Sequence, residues 1–291
     1  MKVSNGMKIL AKVKGDMDFN KQLSSLLEVL KSISVSQYKA LERKIKLYDL
    51  FNTTIAGLFK FVDMPGIDHP FVRPAKKKQI VVAITSDGGF LGGLNRQVIN
   101  AALAQLEDMP GKLIIVGERG KRYANEANMA FVGFPGIKEE YRYAQAVQLR
   151  SYIIEELIKD SIGYLKVVYP KPVSFTMQRA EVVPFLPYTP SEKDRSGEAM
   201  PASSVIFESR PGDILEYLIY LLLGNRLYEI FSLSLLSEFA ARFMHLEESS
   251  QKLKEMDVKL RLEYFRIRHE LIDRNMRELF SARLLFGSHN N

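Results

Sequence analysis

The stretch whose residue types could do chemistry is Ser86-Asp87-Gly88-Gly89-Phe90-Leu91-Gly92-Gly93-Leu94-Asn95, which joins an apolar run to a helix-like segment. Backbone amides of a glycine-rich turn at a helix N-terminus can cradle a phosphate. No Gly-Lys-Ser/Thr follows and the Gly-x-Gly-x-x-Gly spacing is missing, so neither a P-loop nor a dinucleotide fingerprint is present. Glycines also allow positive φ and close strand–helix packing. On residue types that second reading is favoured, with Ser86, Asp87, Gly88, Gly92, Gly93 and Asn95 as a structural loop.

Other chemistries fail on spacing. His69, His245, His269 and His289 are scattered, and none stands four residues from another, so no metal site is expected. No serine lies in a Gly-x-Ser-x-Gly elbow. The carboxylate pairs Glu139-Glu140, Glu155-Glu156 and Glu247-Glu248 read as solvated helix or loop positions. With no cysteine in 291 residues, disulfides and thiolate metal sites are excluded. No catalytic constellation assembles, and neither a catalytic residue nor a bound cofactor is expected of this chain.

The net charge of +7 raises nucleic-acid binding as a possibility, and its distribution argues against it. Residues 1–64 carry 11 basic and 6 acidic groups, 65–211 carry 19 and 16, and 212–291 carry 11 and 12, so no segment forms a strongly basic patch. The run Lys76-Lys77-Lys78 reads as a solvated junction before a strand. No nucleic-acid partner is expected. No run of 18 apolar residues is present, so no transmembrane helix is expected. Residues 1–14 lack the apolar region of a signal peptide.

The elements that position the loop follow from the prolines. All 12 lie between Pro65 and Pro211, which divides the chain into a helix (1–64), a mixed middle (65–210) and a second helix (211–291). In the middle, 79–85 and 113–116 read as buried parallel strands. Helices are expected over 95–107, 121–127 and 144–160, with a further strand near 130–132. Strands 165–169 and 174–184 are expected to form a hairpin turned at Pro170-Lys171-Pro172, and Pro187 to Pro201 reads as a return loop. In the last segment, Leu236, Phe239, Phe243, Leu246, Ser250, Leu253, Asp257, Leu260, Tyr264, Ile267 and Leu271 recur three and four apart, a coiled-coil seam. If wholly helical, that segment spans roughly 110 Å. The first segment offers Leu23, Leu26, Leu30 and Ile33. After a one-residue shift it offers Tyr38, Leu41, Ile45, Tyr48, Asn52, Ile55, Phe59 and Val62. Two such helices most simply bury each other's stripes. The expected fold is α/β: a long antiparallel coiled coil of N- and C-terminal helices with an inserted Rossmann-like α/β domain.

Ser237-Glu238-Phe239-Ala240-Ala241-Arg242-Phe243-Met244 resembles the Ser-Glu-x-Ala-Ala-Arg-Met-x-Ala-Met segment of the gamma subunit of F-type ATP synthases. Arg266 to Ile272 falls where that family has Asn-Lys-x-Arg-Gln-x-x-Ile-Thr. Arg268 and Ile272 match, while His269 replaces the Gln and Asp273 the Thr. Glu278-Leu279-Phe280-Ser281 falls where the family reads Glu-Ile-Val-x-Gly. The glycine loop is similar to the family's Ser-Asp-Arg-Gly-Leu-Cys-Gly-x-x-Asn, with Leu91 in place of the Cys. Residues 23–32 keep the apolar pattern of the family's first helix without its identities, which suggests a divergent or alternative rotary ATPase.

The resemblance implies a central rotor stalk and a non-catalytic role. Its implied partners are the alpha and beta subunits of the catalytic ring, an epsilon-type subunit and the membrane c-ring, and its place is peripheral, on the cytoplasmic side of the membrane. It implies ring contacts at Arg242, Arg268, Glu278, Leu279, Phe280, Leu284 and Leu285. Arg242 and Glu278 are expected to be solvated in the isolated chain. The alternative from residue types is an α/β small-molecule-binding protein that dimerises through its coiled coil.

Overall fold

A computed structural model describes residues 2–45, 69, 71–72, 74, 78–160, 162–187 and 209–287, with side chains from 6 to 283 within those ranges except Pro211. The seam positions Tyr48, Asn52, Ile55, Phe59 and Val62 lie outside the described residues, as do Lys76, Lys77, His289, most of the 187–201 return loop and the side chains of Leu284 and Leu285. The elements in chain order are α1 (Lys2–Ile45), β1 (Gln79–Ile84), α2 (Leu94–Asp108), β2 (Gly111–Val116), α3 (Glu118–Glu126), β3 (Val132–Phe134), α4 (Arg142–Asp160), β4 (Tyr164–Pro172), β5 (Gln178–Leu186) and α5 (Pro211–Gly287). Two compact units result, residues 34–244 and residues 1–33 with 245–291.

In the first unit the strands form one sheet in the order β3-β2-β1-β4-β5, parallel except for β5. Strand β1 is buried along its whole length, as an all-apolar run at the centre of a covered parallel sheet must be. Its alternate side chains feed two cores. Ile80, Val82 and Ile84 meet α4 and the first part of α5, whereas Val81 and Ala83 meet Val98, Ile99 and Ala102 of α2 and Ala124 of α3. Three layers follow, with α5 contributing Leu215, Leu218, Ile219, Leu223, Leu227, Ile230 and Phe231 to the larger core. By composition α5 holds an 18-residue window apolar enough to cross a membrane, with mean hydropathy 1.2, and 56% of that window is buried inside the protein. Core packing accounts for its apolarity.

The hairpin is not turned at Pro170-Lys171-Pro172. Those residues belong to β4, paired with Ala180, Arg179 and Gln178, and the turn is Val173 to Met177. Pairing of β4 with β1 stops at Val168, so beyond it, among the described residues, β4 pairs with β5 alone and tolerates the missing proline N–H groups.

In the unit of residues 1–33 and 245–291, α1 and α5 pair antiparallel. Asn20 donates from Nδ2 to the Leu253 carbonyl at 3.0 Å, Ser250 donates to Glu28 at 3.0 Å, and Lys31 pairs with Glu247 at 2.5 Å. Along α5 the expected seam holds: Leu246 and Ser250 are buried, and Leu253, Asp257, Leu260, Tyr264, Ile267 and Leu271 are half-buried between exposed neighbours. Along α1 it holds in part: Leu23 and Leu30 are half-buried and Tyr38, Leu41 and Ile45 turn inward, but Leu26 and Ile33 do not. The row that faces inward is Leu10, Val13, Met17, Asn20, Ser24, Leu27 and Lys31, and the helix continues it without a shift through Ser34, Tyr38, Leu41 and Ile45. Leu26 is 54% and Ile33 48% exposed. The register is decided by polar side chains with partners rather than by the leucines. Lys31, held by Glu247 and Glu28, is protonated more tightly than an ordinary lysine, chiefly through its bond to Glu247.

Candidate functional site

The glycine-rich loop is built inward from β1. Ser86 N–H donates to Asn95 Oδ1 at 3.2 Å, Asn95 Nδ2 donates to Ser86 Oγ at 2.9 Å, and Ser86 Oγ donates to the Gly88 carbonyl at 3.1 Å. Asp87 reaches sideways instead. Its Oδ1 accepts the Glu118 amide at 2.8 Å and so places a carboxylate at the N-terminus of α3, where the helix dipole favours it. Gly92 takes φ +57, a conformation natural to glycine, and Phe90 takes φ +62 with its ring largely exposed. The Ser86 hydroxyl and the Asn95 amide are thus engaged within the protein, and Asp87 is spent on the α3 terminus, whereas a Cβ at Gly93 would meet nothing within 4 Å.

The loop docks on α5. Leu91 and Leu94 bury against Ala241, whose small side chain lets the loop approach. Gly88 lies over the Arg242–Glu238 pair: a Cβ there would stand 2.8 Å from Arg242 Nη2 and 3.3 Å from Glu238 Oε1. Arg242 and Glu238 are bonded one helical turn apart, with side chains 20% and 16% exposed. Arg242 is therefore not the solvated charge its helical position suggested, because the loop at Gly88, far earlier in the chain, covers it.

Burial raises the Glu238 carboxyl above its ordinary 4.5, Arg242 pulls it down, and the Asp87 charge adds to the rise. A carboxyl raised in the folded state binds its proton more tightly there than in the unfolded chain. Its ionisation costs stability as pH climbs from the unfolded value through the folded one. The parent is thus expected to lose stability relative to Glu238→Gln between about pH 4 and about pH 7. Urea unfolding of both proteins at the two pH values measures this, and an unchanging difference would refute it.

The other expected contact residues lie on the coiled-coil unit. Arg268, Glu278, Leu279 and Phe280 are all exposed there, Leu279 at 67%. They share that surface with a second apolar row that the seam pattern does not include. Val258, Leu262, Phe265, Ile272, Met276 and Leu279 are exposed and recur at heptad spacing, interrupted only by His269. On α1, Phe19, Leu26, Val29 and Ile33 do the same, interrupted by Gln22. Outward positions of a coiled coil in water are ordinarily polar. Here each helix carries a second apolar stripe beside its seam. The second stripe has the same period as the seam, so its spacing is legible in the sequence.

The family model described as ATP synthase matches residues 10–283. Among curated relatives, the ATP synthase gamma chain of Clostridium acetobutylicum is 29% identical over 82% of this chain and 83% of its own length. That of Ruminococcus albus is 27% identical over 91% of this chain and 95% of its own. Among solved structures, a chain of the Euglena gracilis mitochondrial ATP synthase, OSCP/F1/c-ring, superposes with a TM-score of 0.74 at 16% identity, covering 98% of this chain and 96% of that one.

Proposed function

Because the chain belongs to the ATP synthase family as a gamma-chain member, we propose that it is the central rotor-stalk subunit of an F-type rotary ATPase. In that role it couples ion translocation through a membrane sector to ATP synthesis or hydrolysis on a catalytic ring. Its partners are the alpha and beta subunits of that ring, an epsilon-type subunit and the c-ring. It is peripheral to the membrane, on its cytoplasmic side. Residues 1–64 and 211–291 act as the stalk helices and 65–210 as the inserted domain. Ring contacts are assigned to Arg242, Arg268, Glu278, Leu279, Phe280, Leu284 and Leu285.

The observation that carries this reading is the outward apolar stripe on both helices of the coiled coil. Exposed apolar area of that extent marks a surface that another protein covers. An apolar-faced rod suits a sleeve formed by surrounding subunits. The nucleotide chemistry belongs to those subunits. A rod with different faces touches three equivalent partners differently and biases their conformations by the difference in contact free energy.

The test is reconstitution with alpha- and beta-type chains. Leu262→Glu with Leu279→Glu is expected to leave the isolated chain's unfolding free energy within about 0.5 kcal/mol, since both sites are exposed. Assembly with the ring and ATP turnover are expected to be lost. Full assembly and turnover with both carboxylates in place would overturn the assignment.

A further inference from the structure

In the unit of residues 34–244, α4 faces α5 through a repeated pattern. Arg142 lies over the ring of Tyr228 at 5.7 Å, and Arg150 lies over the ring of Tyr220 at 3.6 Å and also donates to its hydroxyl. The arginines are eight residues apart on α4 and the tyrosines eight apart on α5, in reverse order. The two helices therefore run antiparallel where they meet. Midway stand the fully buried Ala146 on one helix and Gly224 on the other. A Cβ at 224 would come within 2.7 Å of Arg150 Nη1, so the glycine provides the space in which that guanidinium lies.

Each triplet is a ridge of the i, i+4 type, small in the middle and long at its ends. Both arginines are buried, at 6% and 8% exposure. Arg142 Nε and Nη1 and Arg150 Nε have no hydrogen-bond partner. Among the described residues neither arginine has a carboxylate at ion-pair distance. Buried cations are normally paired. These two are compensated by aromatic faces, for which the planar and weakly hydrated guanidinium is suited. Such contacts are directional: rotation of α5 about its axis would carry both rings off both cations at once.

We propose that this face is a torsion lock, in which Arg142 and Arg150 are positioning residues that hold the α/β domain and α5 at a fixed angle so that the two turn as one body. The lock rests on the rotor assignment above.

The test uses the chain assembled with its ring, the ring fixed to a surface, and a bead attached to a cysteine introduced at the exposed Glu126 of the domain. The protein has no cysteine of its own, so the label is unique. For Arg142→Leu with Arg150→Leu, ATP turnover without the bead is expected to stay near that of the parent. The loaded bead is expected to slip about ten-fold more often, which corresponds to about 1.4 kcal/mol off the barrier to slipping. Parent-like rotation of the loaded double variant would overturn the lock.

If the double variant does not fold, Gly224→Ala is used instead. It displaces the Arg150 guanidinium and is combined with Arg142→Leu, and parent-like rotation there overturns the lock. A parent complex that assembles but never turns the bead defeats the rotor assignment instead. The lock is then judged on the isolated chain, where the arginine variants should exchange α4 amide hydrogens about ten-fold faster while β1 and β2 are unchanged. Unchanged α4 exchange would overturn it.

Discussion

Arg242→Leu is expected to destabilise the isolated chain by about 3–5 kcal/mol at neutral pH, the range for stranding one charge of a buried pair. The cause is local. Glu238 is 16% exposed, its remaining bonded cation is removed, and Asp87 contributes a repelling charge nearby. The loop above also loses its support, since Gly88 lies against the guanidinium. The loss should shrink in acid, because a Glu238 that is already protonated needs no partner. Urea unfolding at neutral and acid pH measures both parts. Glu278→Ala is the control. Its site is exposed, so a change within about 0.5 kcal/mol is expected. A neutral-pH loss for Arg242→Leu no larger than the control's would mean that the pair is solvated after all.

Phe231→Ala is expected to cost about 3–5 kcal/mol, as truncation of a fully buried aromatic does. Phe231 is 1% exposed and belongs to the core formed by β1, β2, β4, α4 and α5. It already borders a small void shared with Val116, Phe134, Gln145 and Leu149. Removing the ring enlarges that void at the point where α5 meets the sheet, and neighbours in secondary structure cannot collapse into it. The comparison is Phe265→Ala, a half-exposed ring of the outward stripe, expected to change the isolated chain within about 0.5 kcal/mol. Equal melting of the two variants would refute the placement of Phe231.

What the sequence revealed and what it hid divide along one physical line. Strand β1 and the α5 seam were legible because burial there is achieved with apolar side chains at a regular period, and the residue types carry that period. The inward row of α1 was not legible, because Asn20, Lys31 and Ser34 occupy it. Asn20 and Lys31 are tolerated there through a carbonyl and two carboxylates on partners that no local pattern reveals. The leucines at 23, 26 and 30 suggested a different face. Arg242 failed as an exposed charge for the same reason: its cover comes from residues 88 to 94, joined to it only by the fold. The glycine loop lay between these cases. Its internal bonds Ser86–Asn95 are local and were readable as packing, whereas the reach of Asp87 to α3 depends on where β2 ends.

The polar seam positions have a mechanical consequence. A helix pair joined only by leucines can slide by a heptad and find leucines again. Here the step fails in at least one direction. One heptad beyond Glu247 stands Lys254, so a slip that way takes Lys31 from its carboxylate and sets it opposite a like charge. Axial load in that direction therefore bends or twists both helices together rather than shearing one along the other.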